Sequence, residues 1–292
     1  MAVEERDPYT GYLTTGHKWN GITELNRPVP KPVWYFLSAA FLFAVICWIL
    51  MPAWPLGDTY THGTLHTDQR KEVAEKLATA KIQQAKTVQR IRNLDFVDIA
   101  KDPALLRYVQ QVGSALFGDN CSVCHGQAAL GGPGFPSLVD KAWLWGGTPE
   151  TISETIRVGI NSDHSDSRVS QMLAFGRDGL LTRSEISDVV SYVRTLGNRI
   201  DATDLALGNP ENGQIVFADN CAACHGDTGE GNTDIGAPDL TDKFWIYGGD
   251  RKDIHQTVMN GRTGHMPSWE GRLDLDKIKV LTLYLKNLAD GK

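Results

Sequence analysis

Two short runs carry the chemistry of this chain. Cys121-Ser122-Val123-Cys124-His125 and Cys221-Ala222-Ala223-Cys224-His225 stand one hundred residues apart. A bare Cys-x-x-Cys also serves redox dithiols and zinc sites. With histidine next it is the attachment pattern of a c-type haem: the thiols add to the haem vinyl groups and the histidine ligates iron. Each copy is followed by glycine and lies in a longer repeat. The pattern therefore predicts two covalently bound haem c groups, with Cys121, Cys124, Cys221 and Cys224 holding the macrocycles and His125 and His225 as metal ligands. That is one-electron chemistry.

A haem that only passes electrons has both axial positions filled. A soft methionine thioether opposite histidine favours the reduced iron. Met266, in Gly264-His265-Met266-Pro267, follows His225 by forty-one residues and is the expected sixth ligand of the second haem. Met172 follows His125 by forty-seven residues and is expected at the first, although Leu173 stands where proline usually follows the ligand. His164 is the alternative there, and an exposed surface histidine in its polar loop. Met259 falls in a helical stretch and reads as core. Arg157 and Arg262 are candidates for pairing with haem propionates, since guanidinium matches carboxylates bidentately.

These residues must be positioned by a scaffold, and an internal repeat supplies it. Asp140-Lys141-Ala142-Trp143-Leu144-Trp145-Gly146-Gly147 matches Asp242-Lys243-Phe244-Trp245-Ile246-Tyr247-Gly248-Gly249. A short helix bearing Gly113 and Phe117, or Gly213 and Phe217, precedes each haem motif, and a closing amphipathic helix bears Tyr192 or Tyr284. These positions resemble the class I cytochrome c fold, in which the first and last helices cross at a glycine beside aromatic residues. The expected fold is mainly α: one N-terminal transmembrane helix, then two class I cytochrome c domains. The expected boundaries are a cytoplasmic segment at 1–31, the anchor at 32–54, a helical spacer at 55–103, and haem domains at 104–199 and 200–292. A short polar linker, Gly197 to Gly208, joins the last two and keeps them close.

The anchor is the run Val33 to Met51, nineteen residues without a charge. As a helix it is about 28 Å long, close to the hydrocarbon thickness of a bilayer. Lys18, Arg27 and Lys31 precede it and no Lys or Arg follows until Arg70, so the N-terminus is expected in the cytoplasm and the haem domains outside. Some thirty residues precede the run and no small-x-small cleavage site follows, which argues against a cleaved signal peptide. From Asp68 to Asn93 a thin apolar stripe predicts a helix too polar for a core, a spacer or a strut against a partner. The net charge of −6 and pI near 5.7 argue against nucleic acid. The second haem domain holds fifteen acidic against nine basic residues, the first nine against eight, so the distal domain is expected to attract a basic redox partner.

Gly16-His17-Lys18-Trp19-Asn20-Gly21-Ile22-Thr23-Glu24-Leu25-Asn26 resembles the N-terminal signature of the CcoP (FixP) subunits of cbb3-type cytochrome c oxidase, with Asn20 in place of aspartate. The order of anchor, spacer and two haem domains is similar to that family over essentially the whole chain. The resemblance implies a membrane-embedded electron-transfer subunit of the bacterial inner membrane. It would take electrons from a donor cytochrome c and pass them, with a monohaem cytochrome c subunit, toward a haem–copper catalytic subunit that reduces oxygen. Oxygen reduction itself lies elsewhere, since this chain has one spanning helix and no evident copper site. A cytochrome subunit of a membrane-bound dehydrogenase is the alternative. A haem-based sensor would require an open iron position.

Overall fold

The computed structural model describes residues 5–291, and residues 1–4 and 292 of the expected terminal segments lie outside them. The described chain forms two compact units, residues 5–83 and 84–291.

The first unit opens with an antiparallel hairpin, β1 (Thr14–Trp19) and β2 (Ile22–Leu25), in which Trp19 pairs with Ile22. Its two-residue turn is Asn20-Gly21, both with positive φ. That is the sequence and conformation that match the twist of paired strands. Helix α1 (Lys31–Leu50) follows, with Pro32 in its first turn, where the missing N–H costs nothing. None of its side chains is buried in the protein, and its mean hydropathy reaches 2.3. It is the one helix among the described residues long and apolar enough to cross a membrane.

Helix α2 (Gln69–Asn93) is polar along its length, and only Ile91 near its end is buried. In the second unit, Lys279 Nζ donates to the carbonyls of Ile91, Arg92 and Leu94 at 2.7–3.3 Å, a cation closing the carbonyl end of the helix. The remaining helices are α3 (Phe96–Lys101), α4 (Pro103–Asn120), α5 (Ser122–His125), α6 (Pro149–Val158), α7 (Arg183–Leu196), α8 (Ala202–Leu207), α9 (Pro210–Asn220), α10 (Ala222–His225), α11 (Arg251–Asn260) and α12 (Leu275–Ala289). Side-chain caps fix several starts. Asp102 accepts from Ala104 and Leu105, Thr182 and Glu185 form a reciprocal capping box, and Asn209 accepts from Glu211 and Asn212.

The helices cross at glycine beside tyrosine, as expected, but between copies rather than within them. Opening helix α4 of the first copy packs on α12, the closing helix of the second. A Cβ added at Gly113 would lie 2.6 Å from Tyr284 Cβ, and the Phe117 and Tyr284 rings are 6.0 Å apart. Opening helix α9 of the second copy packs on α7, the closing helix of the first, with Gly213 against Asp188 and Tyr192 and the Tyr192 and Phe217 rings 5.3 Å apart. One core joins α4 and α6 to α12. The other joins α7, α9 and α11. Connectivity accounts for the exchange: a short connection brings α7 and α9 together at little loop-closure cost.

That connection is not a bare polar linker. It contains α8, and Asp204 within it is fully buried. Its carboxylate accepts from Arg194 Nε at 2.6 Å and Arg251 Nη1 at 3.0 Å, while its main-chain oxygen accepts from Ser191. Burial pushes the Asp204 carboxyl up. The hydrogen bonds from Arg194, the Asp201 amide and Arg251 outweigh it and hold the group below the ordinary aspartate range.

Candidate functional site

Each haem motif begins where an opening helix ends. Cys121 and Cys221 cap α4 and α9, so the Cys-x-x-Cys-His run winds through one more turn, α5 or α10. That turn sets Cys121 half-buried and Cys124 exposed, and Cys221 and Cys224 repeat the pattern. None of the four is tied up in a disulfide. Burial, with a smaller contribution from the neighbouring Cys124 or Cys224, pushes the Cys121 and Cys221 thiols up to about 11. These are not the low-pKa thiols of a redox dithiol, whose thiolate is stabilised by its surroundings.

The histidines are oriented by carbonyls that follow the motifs. His125 Nδ1 donates to Pro136 O at 2.9 Å and His225 Nδ1 to Pro238 O at 3.0 Å. A carbonyl can only accept, so Nδ1 carries the proton and Nε2 keeps its lone pair for a metal. Burial lowers both imidazole pKa values, with the proline hydrogen bond opposing it, so the neutral ligand form prevails.

The methionines follow the exchange of helices. Met266 packs into the core of α4, α6 and α12, beside Leu138 and Trp143 of the first copy. Met172 packs into the core of α7, α9 and α11, beside Leu240 and Trp245 of the second. The expectation of a methionine from each motif's own copy is thus corrected by packing: Met266 shares a core with the His125 motif, and Met172 with the His225 motif. Short antiparallel bridges hold both segments. Ile160 and Met266 exchange N–H···O bonds at 2.9 Å, and Met172 and Arg262 do so at 2.8 and 3.0 Å. Two glycines allow this approach. A Cβ at Gly159 (φ +73°) would lie 2.4 Å from Met266 O, and one at Gly261 (φ +68°) 2.4 Å from Met172 O.

Asn161 ties the two methionine segments together. Its Nδ2 donates to Ser170 O at 2.8 Å and Gly264 O at 2.6 Å, and its Oδ1 accepts from Ser170 N. Its main-chain oxygen accepts from His265 Nδ1. Asparagine suits the site because its φ is +48°, a region it tolerates better than most residues. Nothing in the local sequence marks Asn161. Pro136 and Pro238 do carry a signal, the shared Pro-x-Leu two residues before Asp140 or Asp242.

Other candidates have different partners. His164 Nε2 is paired with Glu270 Oε2 at 2.5 Å. Arg157 is taken up by Glu154, Asp166 and Glu270. Arg262 stacks on Tyr247, with Nε and Nη2 both on Thr257 Oγ1. Met259 packs in the second core, as expected.

Three family models match successive stretches of the chain. Residues 11–58 match the N-terminal domain of cytochrome oxidase-cbb3, FixP; residues 110–197 match cytochrome c; residues 208–285 match cytochrome c oxidase, cbb3-type, subunit III. The chain is 42% identical to the cbb3-type cytochrome c oxidase subunit CcoP of Azospirillum brasilense, over the whole of both proteins. The chain belongs to the CcoP/FixP family. It is also 42% identical to subunit FixP of Bradyrhizobium sp. (99% of this chain, 98% of the relative) and 41% identical to CcoP of Cereibacter sphaeroides (96% and 95%). The fold is accordingly mainly helical, with one candidate membrane helix and two cytochrome c domains, and such domains imply covalently bound haem c. The family matches run along the chain in sequence order, whereas the helices pack across it.

Proposed function

We propose that the chain is the dihaem electron-transfer subunit of a cbb3-type terminal oxidase. The observation that carries this reading is the pairing of two haem-attachment motifs, each with a carbonyl-oriented histidine and a methionine in the same core, in a chain that aligns with a CcoP relative over the whole of both.

Bound haem c supplies one-electron chemistry at its iron. Cys121 and Cys124 Sγ hold one macrocycle, and Cys221 and Cys224 the other. His125 and Met266 ligate the first iron, and His225 and Met172 the second. Pro136 and Pro238 keep each imidazole in the tautomer that leaves Nε2 for the metal. The bridged methionine segments present each thioether from a fixed backbone, which limits rearrangement when the charge at iron changes. With a methionine available in each core, the residues would fill both remaining positions on the metal, which would suit electron passage and disfavour the sensor reading.

α1 anchors the chain in the bacterial inner membrane with its N-terminus in the cytoplasm and both haem domains in the periplasm. Electrons enter from a donor cytochrome c and leave, with a monohaem cytochrome c subunit, toward the haem–copper subunit. Acidity supports entry at the second core. Residues 160–262 hold sixteen acidic against nine basic residues, a field that draws a basic donor. Relatives bearing cbb3 names along their whole length favour the oxidase over a dehydrogenase subunit.

Purification from native membranes in mild detergent through a C-terminal tag tests the assignment. Haem b, copper and donor-driven oxygen uptake are expected to follow the tag. Haem c alone, or with a flavoprotein or quinoprotein and no oxygen uptake, contradicts it.

A further inference from the structure

A primary amide can donate twice and accept at the same time, which neither a hydroxyl nor a carboxylate can do. Asn161 spends that capacity on main-chain groups from two distant stretches. Its Nδ2 donates to Ser170 O at 2.8 Å and to Gly264 O at 2.6 Å, while its Oδ1 accepts from Ser170 N at 3.1 Å. Carbonyls only accept, so both must face Nδ2, and the orientation of the amide follows.

Its main chain repeats the division. Asn161 N donates to Arg168 O at 2.7 Å, and Asn161 O accepts from His265 Nδ1 at 2.8 Å. The bonds to Arg168 and Ser170 hold the stretch that leads to Met172. Those to Gly264 and His265 hold the stretch that leads to Met266, and the preceding residue, Ile160, is itself bridged to Met266. Met266 packs in the first core and Met172 in the second. One residue thus stands between thioethers that serve different cores. The repeat does not build this junction twice. Gly159-Ile160-Asn161 is matched by Gly261-Arg262-Thr263, and a threonine hydroxyl has a single proton to give.

We propose that Asn161 is a positioning residue for both haems, its amide setting the two methionine segments at once, so that ligation at one iron is tied to ligation at the other. The inference rests on the crossed histidine–methionine assignment above. Thioether sulfur is a soft ligand that favours the reduced iron. A segment that holds its methionine less firmly gives a weaker thioether bond and a haem more easily oxidised. Releasing the amide frees both segments, so both potentials fall together although Asn161 ligates neither iron.

The test is a redox titration of both haems in the full-length purified complex, with the methionine–iron charge-transfer band recorded in the oxidised state. Asn161→Asp keeps the shape and tolerates φ +48°, but turns an acceptor toward two carbonyls. Each haem's redox equilibrium constant is expected to shift about tenfold toward the ferric form, about 59 mV for a one-electron couple, and both bands should weaken. Asn161→Gly, which suits the same φ and removes the amide, should move both haems the same way by less, since water can take up the freed carbonyls. Thr263→Val, at the matching place in the repeat, should leave both potentials unchanged. A shift at one haem only, or at neither, in Asn161→Asp and Asn161→Gly overturns the proposal, as does an equal shift in Thr263→Val. Wild-type protein without a methionine–iron band would sink the ligand assignment and this junction together. Wild-type bands that persist unaltered in both Asn161 variants sink the junction alone.

Discussion

The two cytochrome cores share the same parts and differ in how the chain reaches them. The second core is continuous, drawn from residues 160–262. The first is discontinuous, with α4 and α6 from one stretch and Met266 and α12 from the end of the chain. Around the motifs they are near copies, with histidine on a proline carbonyl, glycine under tyrosine, and methionine on an antiparallel bridge. Their flanks diverge. The first is buttressed by the end of α2 and by α3, with Lys279 on the α2 carbonyls. The second is braced by α8 and the buried Asp204–Arg194–Arg251 cluster. A duplicated motif thus repeats the placement of histidine and methionine in each core, while unique flanks give each core its own surroundings.

The sharpest way to break the comparison is to cut the chain. A fragment of residues 160–262 is expected to bind haem with methionine ligation intact. A fragment of residues 200–292, which follows the sequence repeat, is expected to bind haem without it, because Met172 and α7 are missing. The methionine–iron charge-transfer band of the oxidised protein distinguishes them.

Removing the brace comes next. Asp204→Asn takes the carboxylate from the buried Arg194 and the half-buried Arg251 and should destabilise the second core by about 3–5 kcal/mol. The first core should be spared in haem-resolved melts. The folded-state pKa of Asp204 is depressed, so its contribution is present above the unfolded value, about 3.9, and is lost as pH falls through the lower folded value. The wild-type second core should weaken over that acid range, and Asp204→Asn should flatten the dependence in thermal melts.

The helix crossings give a smaller effect. Alanine at Gly113 or Gly213 overpacks its contact, at about 1–3 kcal/mol. Gly213 should cost more, since its Cβ would lie 2.1 Å from the Asp188 backbone oxygen, while Gly113 meets a side chain. Smallest is Arg92→Ala. Its pair with Asp276 is largely solvent-facing on the arginine side, and denaturant melts should move by about 0–1 kcal/mol.

Most of the site was legible as residue types. The repeat identified the cysteines, histidines, methionines, crossing glycines and tyrosines. It could not say which copy supplies the closing helix, because Gly113 can meet Tyr192 or Tyr284 with the same contact. Connectivity decides that, through a linker whose internal helix and buried aspartate were hidden in a polar composition. Asn161 was invisible for another reason: its partners are main-chain oxygens distant in sequence, which leave no mark on neighbouring residue types. Nor could sequence show that Arg157 and Arg262 are already spent, on acidic side chains and on Thr257, because propensity and charge do not reveal a guanidinium's partners.

The crossed methionines are the central claim, and single-haem chains test them directly. With Cys221 and Cys224 replaced by alanine, only the first haem remains, and its methionine–iron band is recorded after Met172→Ala or Met266→Ala. Loss of the band with Met266→Ala and its retention with Met172→Ala is the predicted result. Loss with Met172→Ala and retention with Met266→Ala would contradict the exchange.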